Sequence, residues 1–198
     1  MGKICYIMGK SSSGKDTIFK RLREELKTFR TIILYTTRPM RAEEANGREY
    51  HYVNERELSD LESEGRVIEL RAYNTKCGVW KYFTVDDGQI DLAKYNYLVI
   101  GTLESYREMS SYFGADKLIP VYIEVDDGMR LARALDRERL QDKPKYDEMC
   151  RRFLADSEDF SEENLRKAGI EKKFQNVEID VCVEEIIIYI KENVSKHV

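Results

Sequence analysis

Gly9-Lys10-Ser11-Ser12-Ser13-Gly14-Lys15-Asp16-Thr17 follows an apolar run, Ile4-Cys5-Tyr6-Ile7-Met8, and opens an amphipathic segment over residues 18–26. That order is strand, glycine-bounded loop, helix. Gly9 and Gly14 let the backbone curl where a Cβ would clash. The loop N–H groups then converge at the positive end of the following helix. Lys15 adds a full charge at the same spot, an arrangement suited to the β/γ-phosphates of a nucleoside triphosphate. Gly9, Ser11, Ser12, Ser13, Gly14, Lys15, Asp16 and Thr17 are therefore the candidate triphosphate-binding residues. The hydroxyl residue that usually follows the lysine and touches Mg²⁺ is replaced by Asp16. A carboxylate beside a triphosphate is tolerable when a cation lies between them. Mg²⁺ is thus expected with the nucleotide, held by Asp16 or by Thr17.

The 198 residues fit one domain, or one domain with a small insert. A net charge of −4 and a pI near 5.5 leave no global basic field for nucleic acid or an anionic membrane. Any basic group aimed at a small phosphorylated molecule has to be local. Cys5, Cys77, Cys150 and Cys182 are widely spaced and suggest neither a disulfide framework nor a zinc site. No leader-like segment precedes Ile4 and no apolar run approaches membrane-spanning length, so a cytoplasmic protein is expected, monomeric or homodimeric.

Beyond the loop, residues 31–36 read as a second strand. Residues 37–89 read as a small β-rich insert, with strands near 67–70 and 82–85 and a short helix over 58–65. The α/β rhythm then resumes, with strands at 97–101 and 118–125 and helices at 103–113, 127–139, 146–160 and 181–194. A weak final strand is expected near 174–179. Alternation of this kind implies parallel β-α-β units, an α/β fold.

Thr36-Thr37-Arg38-Pro39-Met40-Arg41 carries the second signal, followed by Glu44, Asn46-Gly47 and Tyr50. Alone, an exposed arginine pair is a solvated basic turn. Downstream of a triphosphate loop, Arg38 and Arg41 are better placed to clamp a second phosphate with their guanidinium forks, with Tyr50 adding a hydroxyl.

The loop, this second motif and Ile68-Glu69 together resemble the guanylate kinase family over nearly the whole chain. The resemblance implies a three-layer phosphate-loop fold with a five-stranded parallel core (1–36 and 90–198), an acceptor-binding insert (37–89) and a helical lid (about 137–150). It implies transfer of a phosphoryl group from ATP to GMP with Mg²⁺. By resemblance, Arg38, Arg41 and Tyr50 hold the acceptor phosphate and Glu44 and Glu69 face the base. Arg137 and Arg152 act catalytically with Lys15 and Arg38, Arg133 joins the ATP site, and Asn176 lies near adenine. Arg130, Arg139 and Arg151 read as ordinary charges on polar helices.

Several positions depart from the family pattern: Leu34 replaces a serine, Cys77-Gly78-Val79 a Tyr-Gly-Ser/Thr element, and Val99-Ile100-Gly101 a strand ending in Asp-x-Asp. Buried donors of guanine left unpaired cost about 1–3 kcal/mol each, so another monophosphate, nucleotide or ribose phosphate, is the alternative acceptor. Gly14-Lys15-Asp16 and residues 97–102 are also similar to ribose bisphosphate phosphokinases of the same fold. A non-catalytic guanylate-kinase-like binding module is the remaining alternative. His51 and His197 are too far apart in sequence to suggest a metal site.

Overall fold

The computed structural model describes residues 1–75 and 78–195. A parallel sheet forms the centre: β1 (Ile4–Met8), β2 (Arg30–Thr31), β7 (Tyr97–Ile100), β8 (Leu118–Glu124) and β9 (Lys173–Gln175), in the order β2-β7-β1-β8-β9. β1 is buried throughout, and its side chains alternate between faces, as a strand must. Ile4, Tyr6 and Met8 pack on one side with Leu103, Tyr106 and Met109 of α3 (Leu103–Phe113). Cys5 and Ile7 pack on the other. There they meet Ile18 and Leu22 of α1 (Lys15–Glu25), and Cys182, Ile186 and Ile190 of α7 (Ile179–Ser195). The result is a three-layer α/β fold with five parallel strands, as the sequence predicts.

A second sheet, in the order β4-β3-β6-β5, lies between β2 and β7 in the chain. It consists of β3 (Tyr35–Thr36), β4 (His51–Tyr52), β5 (Val67–Thr75) and β6 (Gly78–Val85). The helix α2 (Glu55–Ser63) starts at a capping box between Asn54 and Glu57, and its Leu58 packs with Phe83 and Val85.

The expected single strand over residues 31–36 is divided. Arg30–Thr31 belongs to the core sheet and Tyr35–Thr36 to the second one. Between them the chain changes sheets, and the backbone of Ile33 has no strand partner. The Gln89 amide satisfies both of its groups, accepting from Ile33 N–H at 2.8 Å and donating to its carbonyl at 3.2 Å. Gln89 thereby ties together the two crossings between the sheets.

After β8, Asp126 caps α4 (Asp127–Arg139) by accepting from Met129 N–H. A turn leads into α5 (Tyr146–Asp159), and a short helix not expected from sequence, α6 (Glu162–Lys167), starts at a Ser161 cap. Cys5 and Cys182 are buried free thiols and Cys150 is an exposed one. Among the described residues, no helix is long and apolar enough to cross a membrane.

Replacing Gln89 with Ala strands a peptide group at the crossover and is expected to cost about 1–3 kcal/mol. Urea denaturation measures this, and an unchanged midpoint would show that water serves Ile33 equally well.

Candidate functional site

Between β1 and α1 the chain turns tightly. Ser12 takes the left-handed region at φ 63°, as does Gly14 at φ 85°. A Cβ on Gly14 would also lie 2.4 Å from Asn176 Nδ2, so only glycine fits there.

The loop is fastened through its carbonyls. Asn176, buried beyond β9, donates from Nδ2 to Ser13 O at 2.7 Å. Arg130 of α4 donates from Nε to Ser11 O at 3.0 Å. In a trans peptide the N–H points opposite to the C=O. Tying Ser11 O and Ser13 O to the scaffold therefore turns the N–H groups of Ser12 and Gly14 the other way. Ser12 and Gly14 line a cavity of about 540 Å³ with Asp16, Thr17, Arg133, Arg137 and Asn176.

Arg130 is the buried charge behind this arrangement, at 1% exposure. It pairs with Asp127, lies 3.6 Å from Asp156, and stacks 4.7 Å above the Phe153 ring. Asp156 in turn accepts Ser11 N–H at 2.6 Å. The sequence reading of Arg130 as an ordinary surface charge is corrected: it is the brace between the loop, α4 and α5. The signal in the sequence was the Asp127/Arg130 spacing, which places both side chains on one helix face.

Of the residues singled out from sequence, the structure brings Ser12, Gly14, Asp16, Thr17, Arg133, Arg137 and Asn176 to the one cavity. Arg137 and Arg152 line a small adjoining pocket with Ser11 and Ser12. Lys15 is the first residue of α1, at its positive end, outside the lining of that cavity. Gly9 ends the strand side of the loop and Ser13 is buried within it. Asn176 is a loop brace here, whatever else it touches. Arg133 and Arg137 make no ion pair among the described residues, and Asp16 is the one carboxylate in the same lining. Asp16 and Thr17 are exposed. No group of three or more metal-ligating side chains exists among the described residues. A divalent cation here would need ligand oxygens from the nucleotide, as Mg²⁺ commonly takes them.

The second motif is built on the second sheet. Thr36 Oγ1 donates to Lys81 O at 2.8 Å and accepts Arg38 N–H at 3.1 Å. Thr37 exchanges two further hydrogen bonds with the Lys81 backbone, both at 3.0 Å. The two threonines thus fix where Arg38 leaves the sheet. Arg38 is buried. Its guanidinium donates to Glu44 Oε1 and to Pro39 O, both at 2.8 Å, and lies 5.7 and 5.6 Å from the Tyr50 and Tyr52 rings. Glu44 Oε2 also accepts Arg41 N–H at 2.8 Å, while Arg41 itself is exposed. Glu44 therefore organises the arginine loop, with both carboxylate oxygens engaged. The Arg38 hydrogen bond holds its carboxyl at about 2. Burial, then Tyr82, pushes the Tyr50 phenol above its ordinary range, and Asp16 at the start of α1 adds to the effect. Tyr50, with Arg48 and Glu49, lines a small pocket shared with Phe19 and Arg23 of α1.

Glu69 is placed differently from the expectation that it faces a base. It is buried against Arg71, accepting Nε at 2.9 Å and Nη2 at 3.3 Å, and it also accepts the Thr84 hydroxyl at 2.7 Å. Leu34 is buried in the core, and Val79 is 48% exposed at the end of β6. Cys77 and His197 lie outside the described residues, and His51 stacks on Tyr35 at 4.5 Å.

Residues 1–79 match the family model described as guanylate kinase. A guanylate kinase of Oleidesulfovibrio alaskensis is 41% identical over 64 residues, 32% of this chain and 31% of that protein. One from Neisseria gonorrhoeae is 35% identical over 99 residues, 50% of this chain and 46% of that protein. The chain thus spans less than half the length of the curated relatives it matches. The crystal structure of guanylate kinase from Anaplasma phagocytophilum shares the fold, with a TM-score of 0.68 over 99% of this chain and 88% of that one at 15% identity.

Two outcomes are expected. Arg130→Met leaves Asp156 and Ser11 O without their partner and should cost about 3 kcal/mol in urea denaturation. It should also weaken ATP binding measured by calorimetry, and retention of both would remove the bracing role. Glu44 is held at about 2 against an ordinary 4.5, so its stabilisation is complete above pH 4.5 and is lost as pH falls toward 2. The stability gap between wild type and Glu44→Gln should be constant near neutral pH and shrink to less than half by about pH 3. A gap independent of pH would contradict the ion pair.

Proposed function

We propose that this chain, a member of the guanylate kinase family, transfers the γ-phosphoryl group of ATP to a monophosphate acceptor. The reading is supported by the fastened loop at the start of α1 together with a second arginine-bearing loop whose Tyr50 lines a pocket shared with Phe19 and Arg23 of α1.

In this reading Lys15 and the amides of Ser12 and Gly14 bind the donor phosphates. Arg38, Arg41 and Tyr50 hold the acceptor phosphate. Arg137 and Arg152, on α4 and α5, lie over the group in flight and offset the charge that spreads onto its oxygens. The turn between those helices, about 137–150, acts as the lid and excludes water. Asp16 or Thr17 holds Mg²⁺ together with phosphate oxygens, and the ion supplies further charge neutralisation. Positioning and electrostatics do the work, and no covalent intermediate on the protein is required.

GMP is the acceptor to which the resemblance and the relatives' names point. The burial of Glu69 and its hydrogen bonds from Arg71 and Thr84 favour a second reading, in which the same transfer is made to a different monophosphate.

Lys15→Met should lower acceptor-dependent ADP formation by about a hundredfold or more while leaving the thermal transition intact. Wild-type turnover in a folded Lys15→Met protein would refute the role of Lys15.

A further inference from the structure

The helix α5 carries Arg152 but has little apolar anchorage. Met149 is its one buried residue among those described, and the Phe153 ring beside it lies under the Arg130 guanidinium. The Arg152 side chain is itself loosely held. Its ion-pair partner Glu148, one turn back, is 3.7 Å away, and both Glu148 oxygens accept from Arg151 at 2.8 Å. Where Arg152 stands is therefore set by where the helix stands.

One side chain pins that helix to the loop before α1. Asp156 Oδ2 accepts Ser11 N–H at 2.6 Å. The same oxygen lies 3.6 Å from Arg130 Nη2, which has no hydrogen-bond partner among the described residues. The Ser11 contact is thus the tighter of the two. Asp156 and Arg152 are four residues apart and share a face of α5, about 6 Å apart along the axis. Arg152 lines a small pocket with Ser11, Ser12 and Arg137. The face that meets the loop thus holds the pin at one turn and the arginine at the next.

We propose that Asp156 is a positioning residue for phosphoryl transfer: by taking the Ser11 amide it holds α5 against the loop and fixes Arg152 over the transferring group. A displacement of about 1 Å there can cost on the order of a hundredfold in rate. The inference rests on the phosphotransferase reading above. A purely structural Asp156 would serve only to balance the buried Arg130 charge, and one substitution separates the two roles. Asn keeps an oxygen that accepts Ser11 N–H and loses the charge, whereas Ala loses both.

The test begins with ADP release from ATP and Mg²⁺ in the presence of GMP, AMP, CMP, UMP or ribose 5-phosphate, and the fastest acceptor is used thereafter. Asp156→Ala should lower kcat by about tenfold or more. Its ATP affinity by calorimetry should stay within about threefold of wild type, since Arg130 and Asn176 still hold the loop carbonyls. Asp156→Asn should recover kcat to within about threefold of wild type. With Arg152→Ala already present, adding Asp156→Ala should lower kcat by less than about twofold more. Losses that multiply in the double variant overturn the inference alone and leave the kinase reading intact. So does an Asn variant as slow as the Ala variant. ATP binding by wild type without ADP release for any acceptor overturns the kinase reading, and this inference with it. Should Asp156→Ala fail to fold, Asp156→Glu, which moves the carboxylate by one methylene, takes its place in the same cycle, with a kcat loss that disappears once Arg152 is removed.

Discussion

The site depends on the direction in which two peptide groups point. A loop between a strand and a helix can expose its carbonyls or its amides, and only amides attract phosphate. Arg130 and Asn176 settle the matter by taking the carbonyls of Ser11 and Ser13. The cost is a buried guanidinium, which is met by Asp127, Asp156 and the face of Phe153. Asp156 then takes Ser11 N–H, so the same pair of side chains holds the loop on both edges of one residue. Because Arg130 sits on α4 and Asp156 on α5, the loop is bolted to the two helices that carry Arg133, Arg137 and Arg152. Loop geometry and the placement of those arginines are therefore one mechanical unit.

The Thr36-to-Tyr50 motif is built by a different device. Arg38 is not fixed by a helix but by two threonines that bond to a single residue of the neighbouring strand, Lys81. Glu44 then closes the loop by bridging the Arg38 side chain and the Arg41 backbone. An acceptor phosphate would have to share Arg38 with this carboxylate. Arg41, exposed and without an ion pair among the described residues, is the freer of the two. Arg133 and Arg137 carry no ion pair among the described residues, whereas Arg38 is already paired with Glu44.

The strand, loop and helix at the N-terminus were legible because each rests on local rules: an apolar run, two glycines, an amphipathic period. The Thr36-to-Tyr50 motif was legible by resemblance, although the part the threonines play needed the sheet to be seen. Arg130 was only partly legible: its spacing from Asp127 signals a pair on one helix face, but a buried arginine on a charged helix has the same spelling as an exposed one. The division of residues 31–36 between two sheets was hidden because both halves are β-forming, and only the position of Gln89 makes the break tolerable. The Glu69/Arg71 pair carried a signal that was passed over. Two residues apart on a strand, their side chains share a face, and opposite charges there will find each other before they find a ligand.

That last point bears on how far a family motif carries chemistry. Glu69 stands where a base-reading carboxylate is expected, and its identity alone would license the assignment. Its environment differs from that expectation: Arg71, two positions on, and Thr84 engage both of its oxygens, and Arg71 continues to Thr102. Freeing Glu69 by removing Arg71 alone would leave Thr84 in place and Tyr6 still filling the space at Gly101. The environment of Glu69 is thus a packed set, with Tyr6 filling the space beside Gly101 and Arg71 balancing the buried charge. The loop before α1 and the Arg38 loop are braced by other residues, Arg130 and Asn176 for the first and Thr36, Thr37 and Glu44 for the second, so each is built separately from that set.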